Sequence, residues 1–186
     1  MNAIELIGKS ADYESIKWVG KAVSTDKTRE VLHYIQITKS GKDYIAAATN
    51  GQRLHVAKLE NKIKPGLYEI ETCNAKRMMI TECGKGLKFP AWLQVIPPTD
   101  VPYKDWPKFT TSNYEENKSY QSIEDFRIAV FIHGLCGALF NLGFILDCMY
   151  EPSTEYGCFQ ADTVSAIRIQ DGEKWTRQAV VMPCRE

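Results

Sequence analysis

Three histidines (His33, His55, His133) and six cysteines (Cys73, Cys83, Cys136, Cys148, Cys158, Cys184) are the side chains of this chain best suited to metal-ligand or nucleophile chemistry. Metal centres usually show such residues as closely spaced pairs. One pair has that spacing, His133-x-x-Cys136, but it lies in an apolar stretch with no second pair nearby. It reads as packing, and no metal site is expected. No cysteines form a CxxC pair, and no secretory signal is visible at Met1-Asn2-Ala3-Ile4-Glu5, so a reduced, cytoplasmic setting is the expectation. The chain carries no P-loop, GxGxxG, HExxH or nucleophile elbow, and its histidines are too scattered to propose a triad. A non-catalytic protein without a cofactor is expected.

Charge points to a second kind of chemistry. Lysine and arginine together number 23 and aspartate and glutamate 23, for zero net charge. The chain as a whole does not attract polyanions, so any DNA contact must come from local segregation of charge. Lys17 and Lys21 on one stretch read as helical, and Lys76 and Arg77 on another, are the candidates for contacting phosphates without reading bases. The competing reading is an ordinary solvated helix face. Trp92, Trp106 and Trp175 could stack on single-stranded bases, but they fit a core or an interface better. The span Ile128–Leu146 is uncharged and about long enough to cross a membrane. His133, Gly134, Gly137, Asn141 and Gly143 interrupt it and no basic flank orients it, so two shorter core helices are expected instead.

The elements that must position these groups follow from periodicity and turn chemistry. Ile4–Ile7 reads as a short strand. Asp12–Val23 has helical spacing through Ile16, Val19, Ala22 and Val23, with Ser10 or Asp12 as the N-cap. Val31–Thr38, Tyr44–Ala48, Gln52–Leu59 and Leu67–Ile70 read as strands. They are separated by turns at Ser40–Asp43, at Asn50-Gly51 (a two-residue hairpin) and at Pro65-Gly66. Asn74–Thr81 reads as a helix stopped by Gly84. Pro90, Pro97, Pro98, Pro102 and Pro107 make residues 85–118 a linker or extended crossing segment. Helices are expected over Ser122–Cys136 and Phe140–Met149. Strands follow at Tyr156–Ala161, Ser165–Ile169 and Arg177–Met182, with a turn at Asp171-Gly172. The fold class is α+β, with antiparallel sheets and helices packed on one face. Residues 1–84 form a first half (β-α-ββββ plus helix), 85–121 a connector, and 122–186 a second half.

Two stretches add a resemblance. Ala48-Thr49-Asn50-Gly51-Gln52-Arg53-Leu54 and Val180-Val181-Met182-Pro183-Cys184-Arg185 resemble segments of the bacterial sliding clamp, the β subunit of the replicative DNA polymerase. Arg29-Glu30-Val31-Leu32, Phe89-Pro90-Ala91-Trp92-Leu93-Gln94-Val95-Ile96-Pro97, Phe140–Asp147 and Asp162–Ile167 are similar to further pieces of that family's second and third domains, in the same order. The resemblance implies a DNA-clamp-like fold and a pocket that takes short linear peptides of polymerases, clamp loaders or repair proteins. On matching positions that pocket comprises Arg29, Leu32, Thr49, Gln52, Arg53 and Leu54, then Pro90 and Val95. It continues with Phe144, Val164, Ala166, Val180, Val181, Met182, Pro183 and Arg185. A mostly apolar groove with an adaptable Met and a few edge donors suits a modest, exchangeable affinity. Taken singly, Leu32, Val164 and Val180 are also what any sheet buries. Gln52 and Cys184 stand where the family often has His and Met, which would shift peptide choice.

At this length the chain reads as a condensed clamp, and residues 99–135 match nothing. Three functions follow as alternatives. One is a processivity factor that self-associates around double-stranded DNA. Another is a non-ring adaptor or competitor that keeps only the pocket. The last is an unrelated α+β enzyme.

Overall fold

The structure, a computed structural model, describes residues 3–84, 86–97, 103–105, 140–148, 156–159, 165–171 and 174–183. The chain divides into two compact units, 1–95 and 96–186.

The first unit opens with β1 (Ala3–Ile7) and α1 (Ala11–Gly20). Ser10 caps the helix by accepting from the Tyr13 N–H at 3.3 Å. Asp12, the other expected cap, does something else. Its buried carboxylate accepts the backbone N–H groups of Glu60 (2.7 Å) and Asn61 (3.1 Å) and the Asn61 side-chain amide (2.8 Å). The start of α1 is thereby fastened to the far end of a strand. A 3-10 turn (Glu30–His33) precedes β2 (Ile35–Ser40), so the expected strand over Val31–Thr38 starts four residues late. β3 (Asp43–Thr49), β4 (Arg53–Leu59), β5 (Gly66–Asn74) and β6 (Arg77–Cys83) follow. All neighbours pair antiparallel in the order β1-β6-β5-β2-β3-β4.

α1 packs on β3 and β4 and buries Ile16, Trp18 and Val19. Ile45–Ala48 and Leu54–Ala57 are buried without interruption, so both faces of β3 and β4 are removed from water. That explains their imperfect alternation in sequence. A second 3-10 turn, Trp92–Val95, is pinned by the buried Trp92, whose indole N–H donates to Gln36 Oε1 at 2.8 Å.

The expected helix over Asn74–Thr81 is not there. Residues 77–83 are β6, and Asn74 and Arg77 close a hairpin with β5. Asn74 Oδ1 accepts the N–H groups of Lys76 (3.0 Å) and Arg77 (3.2 Å). Met78 and Ile80 are fully buried while Met79 between them is not, a period of two. The apolar run Met78-Met79-Ile80 carries no period of its own, and pairing with β1 on one side and β5 on the other makes it a strand.

In the second unit, β7 (Tyr103–Asp105) lies inside the stretch expected to be linker. α2 (Leu142–Cys148), β8 (Tyr156–Phe159), β9 (Ile167–Asp171) and β10 (Arg177–Val181) agree with the expected helix and strands apart from their ends. The strands pair antiparallel in the order β10-β9-β8-β7. Ile167, Ile169, Ala179 and Val181 form one buried face, and α2 packs against β10 with Ile145 and Cys148 buried. The Asp171 carboxylate closes the β9–β10 connection by accepting from Thr176 N (2.7 Å), Thr176 Oγ1 (2.5 Å) and Arg177 N (2.8 Å). The helix expected over Ser122–Cys136, with His133 and Cys136, lies outside the described residues. Among the described residues no helix is long and apolar enough to cross a membrane.

Candidate functional site

The β3–β4 hairpin tip is where the first unit gathers the residues singled out in sequence. Thr49 and Leu54 face each other across the ladder. Asn50 and Arg53 close the turn, with Asn50 N–H donating to the Arg53 carbonyl at 3.3 Å. The central pair is therefore Gly51-Gln52, one residue later than the expected Asn50-Gly51. Gly51 has φ +90°, as glycine does at the first central position of a type II′ turn. The Asn50 side chain takes up two backbone donors, Gln52 N–H (2.9 Å) and Arg53 N–H (3.0 Å). Thr49 Oγ1 donates to the Arg53 carbonyl (2.6 Å) and accepts from Gly51 N–H (3.0 Å).

Two arginines tie this tip to the rest of the unit. Half-buried Arg53 donates from Nη2 to the carbonyl of Lys21, just past the end of α1. It is not the free solvated cation that a position beside a turn suggests. Arg29 also lies against the turn: a Cβ on Gly51 would sit 2.7 Å from its Nη1. Arg29 Nε donates to Asp26 Oδ2 at 3.0 Å. The other Asp26 oxygen accepts from Thr28 N–H (3.0 Å) and Thr28 Oγ1 (2.7 Å). His33 Nε2 donates to the Asp26 carbonyl at 2.7 Å, since a carbonyl only accepts. Ser24 completes the loop, its Oγ accepting from Asp26 N–H and its N–H donating to the Leu32 carbonyl. Asp26, Ser24 and Asn50 were absent from the sequence-derived set. The pattern Ser24-x-Asp26-x-Thr28 was the available signal, because such side chains cap their own backbone two residues on.

The Thr28 hydroxyl, then the Thr28 N–H and Arg29, hold the Asp26 carboxyl below the ordinary carboxylate range. A depressed folded-state value stabilises the loop above the ordinary carboxylate pKa, and that contribution disappears as pH falls through the depressed value. Protection of the amides of residues 24–33, each exchange rate taken relative to that of the free peptide at the same pH, is thus expected to be flat from neutral pH to about 4 and to fall below it. A loss of protection already at pH 6 would contradict this assignment.

Other expected pocket residues divide by burial. Leu32, Leu54, Val180 and Val181 are core residues. Pro90 is exposed, Val95 is 52% and Met182 41% exposed, and Phe144, Ala166 and Pro183 are half-buried. Val164 and Arg185 lie outside the described residues.

Two of the four basic candidates lie on or at the end of α1, as expected, and two do not. Lys17 lies exposed on α1, its ammonium 5.6 Å from the Tyr13 ring centre. Lys21 is also exposed, at the C-cap. Lys76 and Arg77 are on no helix: Lys76 is in the β5–β6 turn and Arg77 starts β6, 3.5 Å from Glu5. Tyr13 nonetheless links them to Lys17, because its hydroxyl donates to the Asn74 carbonyl at 2.7 Å. Its contact with Cys73 and its burial push its pKa up. Burial likewise raises the Cys83 thiol, which keeps it protonated and a poor nucleophile. Among the described residues no three His, Cys, Asp or Glu side chains converge to hold a metal.

Antiparallel sheets with helices on a face, repeated in two units, make this an α+β protein of DNA-clamp type. The particular fold is that of the bacterial sliding clamps. The Bartonella birtlesii DnaN clamp (DNA polymerase III subunit beta), bound to griselimycin, matches with a TM-score of 0.63 at 14% identity, over 99% of this chain and 66% of that one. DNA polymerase III subunit beta of Borrelia burgdorferi, in complex with a natural product, matches with a TM-score of 0.63 at 11% identity, over 100% and 63%. The Thermotoga maritima beta subunit gives 0.61 at 15%, over 99% and 65%. This chain thus spans about two thirds of the length of the clamps it matches. No protein-family model matches it, and no curated protein does.

Proposed function

We propose that this chain is a non-catalytic, sliding-clamp-like replication protein that binds short linear peptides of polymerases and related proteins. The observation that supports this most is a clamp fold along 99% of the chain. The convergence of Arg29, Thr49, Gln52 and Arg53 on one hairpin tip adds to it, as does exposed Met182 at the end of β10. Griselimycin bound to the Bartonella clamp indicates that a protein of this fold holds a ligand. In this reading Arg29, Thr49, Gln52, Arg53, Pro90, Val95, Phe144, Ala166, Met182 and Pro183 contact the peptide, while Leu32, Leu54, Val180 and Val181 back them. Val164 and Arg185 complete the set. Lys17, Lys21, Lys76 and Arg77 contact double-stranded DNA through phosphates, without base preference. The setting is cytoplasmic. Encircling DNA requires self-association, which light scattering measures.

Fluorescence polarisation with a labelled peptide carrying Leu and Phe, side chains that would fill a mostly apolar groove, tests the central claim. Arg53→Ala and Met182→Ala are each expected to weaken binding about 10-fold, the loss typical of a contact worth somewhat over 1 kcal/mol. These residues belong to different units, and coupling in the double variant tells whether one ligand uses both. No binding by the unaltered protein at high micromolar concentration would remove the reading.

A further inference from the structure

The Asp26–Arg29 pair suggests more than loop closure. The Arg29 side chain is 49% exposed. Its Nε is held by Asp26 and its Nη1 lies over Gly51, and among the described residues its guanidinium has no other partner. An arginine fixed along one edge and open along the other is preorganised for a planar acceptor, since two parallel N–H donors match the two oxygens of a carboxylate.

We propose that Asp26 is a positioning residue that fixes Arg29 over the Gly51 turn, so that the outer guanidinium nitrogens receive a carboxylate of a bound acidic peptide. The inference rests on the peptide-binding reading and names the ligand chemistry at this part of the site. Asp26 touches no ligand. It acts by holding Nε and, through Thr28, by holding itself. In Asp26→Asn a single oxygen is left for Thr28 and Arg29 to compete for, and in either amide orientation the charge that strengthens the Arg29 Nε–H bond is gone. The guanidinium is then released.

The test uses two labelled peptides of the same Leu/Phe-anchored sequence, one with an Asp or Glu and one with the matching amide. The unaltered protein is expected to prefer the acidic peptide about 10-fold, the discrimination typical of one charge-assisted, bidentate contact. Arg29→Ala and Asp26→Asn should both abolish the preference, and Asp26→Glu should restore part of it. A loss of stability alone would weaken both peptides equally and leave their ratio unchanged. Equal binding of the two peptides to the unaltered protein, or an unchanged preference in Asp26→Asn, overturns the inference while peptide binding stands. If neither peptide binds, the peptide reading fails. The positioning role is then judged by hydrogen exchange of the Gly51 and Gln52 amides. Faster exchange in Asp26→Asn supports it, and unchanged exchange overturns it.

Discussion

Trp18→Ala is expected to destabilise the first unit by about 3–5 kcal/mol, the usual cost of emptying a buried aromatic site. Trp18 is 4% exposed on α1, and its ring stacks on that of His55 in β4, with centroids 4.3 Å apart and planes at 19°. His55 is fully buried, and its Nδ1 lies 3.0 Å from the Trp18 carbonyl. A carbonyl only accepts, so Nδ1 carries a proton and the ring is oriented by that bond. Removing the indole strips the ring's stacking partner and leaves a void between helix and sheet that neighbours fill only in part. Trp18→Phe keeps an aromatic face and should recover much of the loss. Urea denaturation followed by circular dichroism measures both variants. A loss under about 1 kcal/mol for the alanine would show that this stack does not close the core.

Gly8→Ala should cost about 2–3 kcal/mol, near the upper end of what overpacking usually does. A Cβ at this position would lie 2.3 Å from the Ala75 carbonyl oxygen and 2.8–2.9 Å from the carbonyl of Lys76. These are backbone atoms of the β5–β6 turn and cannot swing aside as a side chain would. Gly8 N–H also donates to the Lys76 carbonyl at 2.7 Å, so separating the two segments breaks that bond. Gly41→Ala is the control: its φ is +61° but nothing lies within 4 Å of the added carbon. It should cost only the left-handed backbone penalty of about 1 kcal/mol. Equal thermal shifts for the two variants would contradict the close approach at Gly8.

Much of the fold was legible because its cues are local. Ser10 before an apolar stretch of helical period, and Asp171 before Gly172, act on backbone donors a few residues away. Neighbouring sequence is then enough to place a cap or a turn. The hairpin at residue 50 was legible as a hairpin but misplaced by one residue. Asn50 bonds Gln52 and Arg53 through its side chain, so only Gly51 supplies the positive φ. Part of the candidate site was legible through its resemblance to a family. Which members are exposed was not, since Leu54 and Val95 look equally apolar in sequence and only one reaches water.

By itself, then, the sequence determined the class of fold, a cap for α1 at Ser10 or Asp12, most of the strands and the two segments that resemble a clamp. The tertiary structure decided that residues 77–83 are a strand, because the ladder bonds from β1 and β5 come from residues whose nearness no local pattern encodes. It decided that Asp12 secures residues 60 and 61, and that Arg53 reaches Lys21. It also set Arg29 between Asp26 and Gly51. Turns and caps are settled by dihedral preferences within a few residues. The partners of a buried carboxylate or a guanidinium are settled by whichever distant backbone the fold brings within about 3 Å.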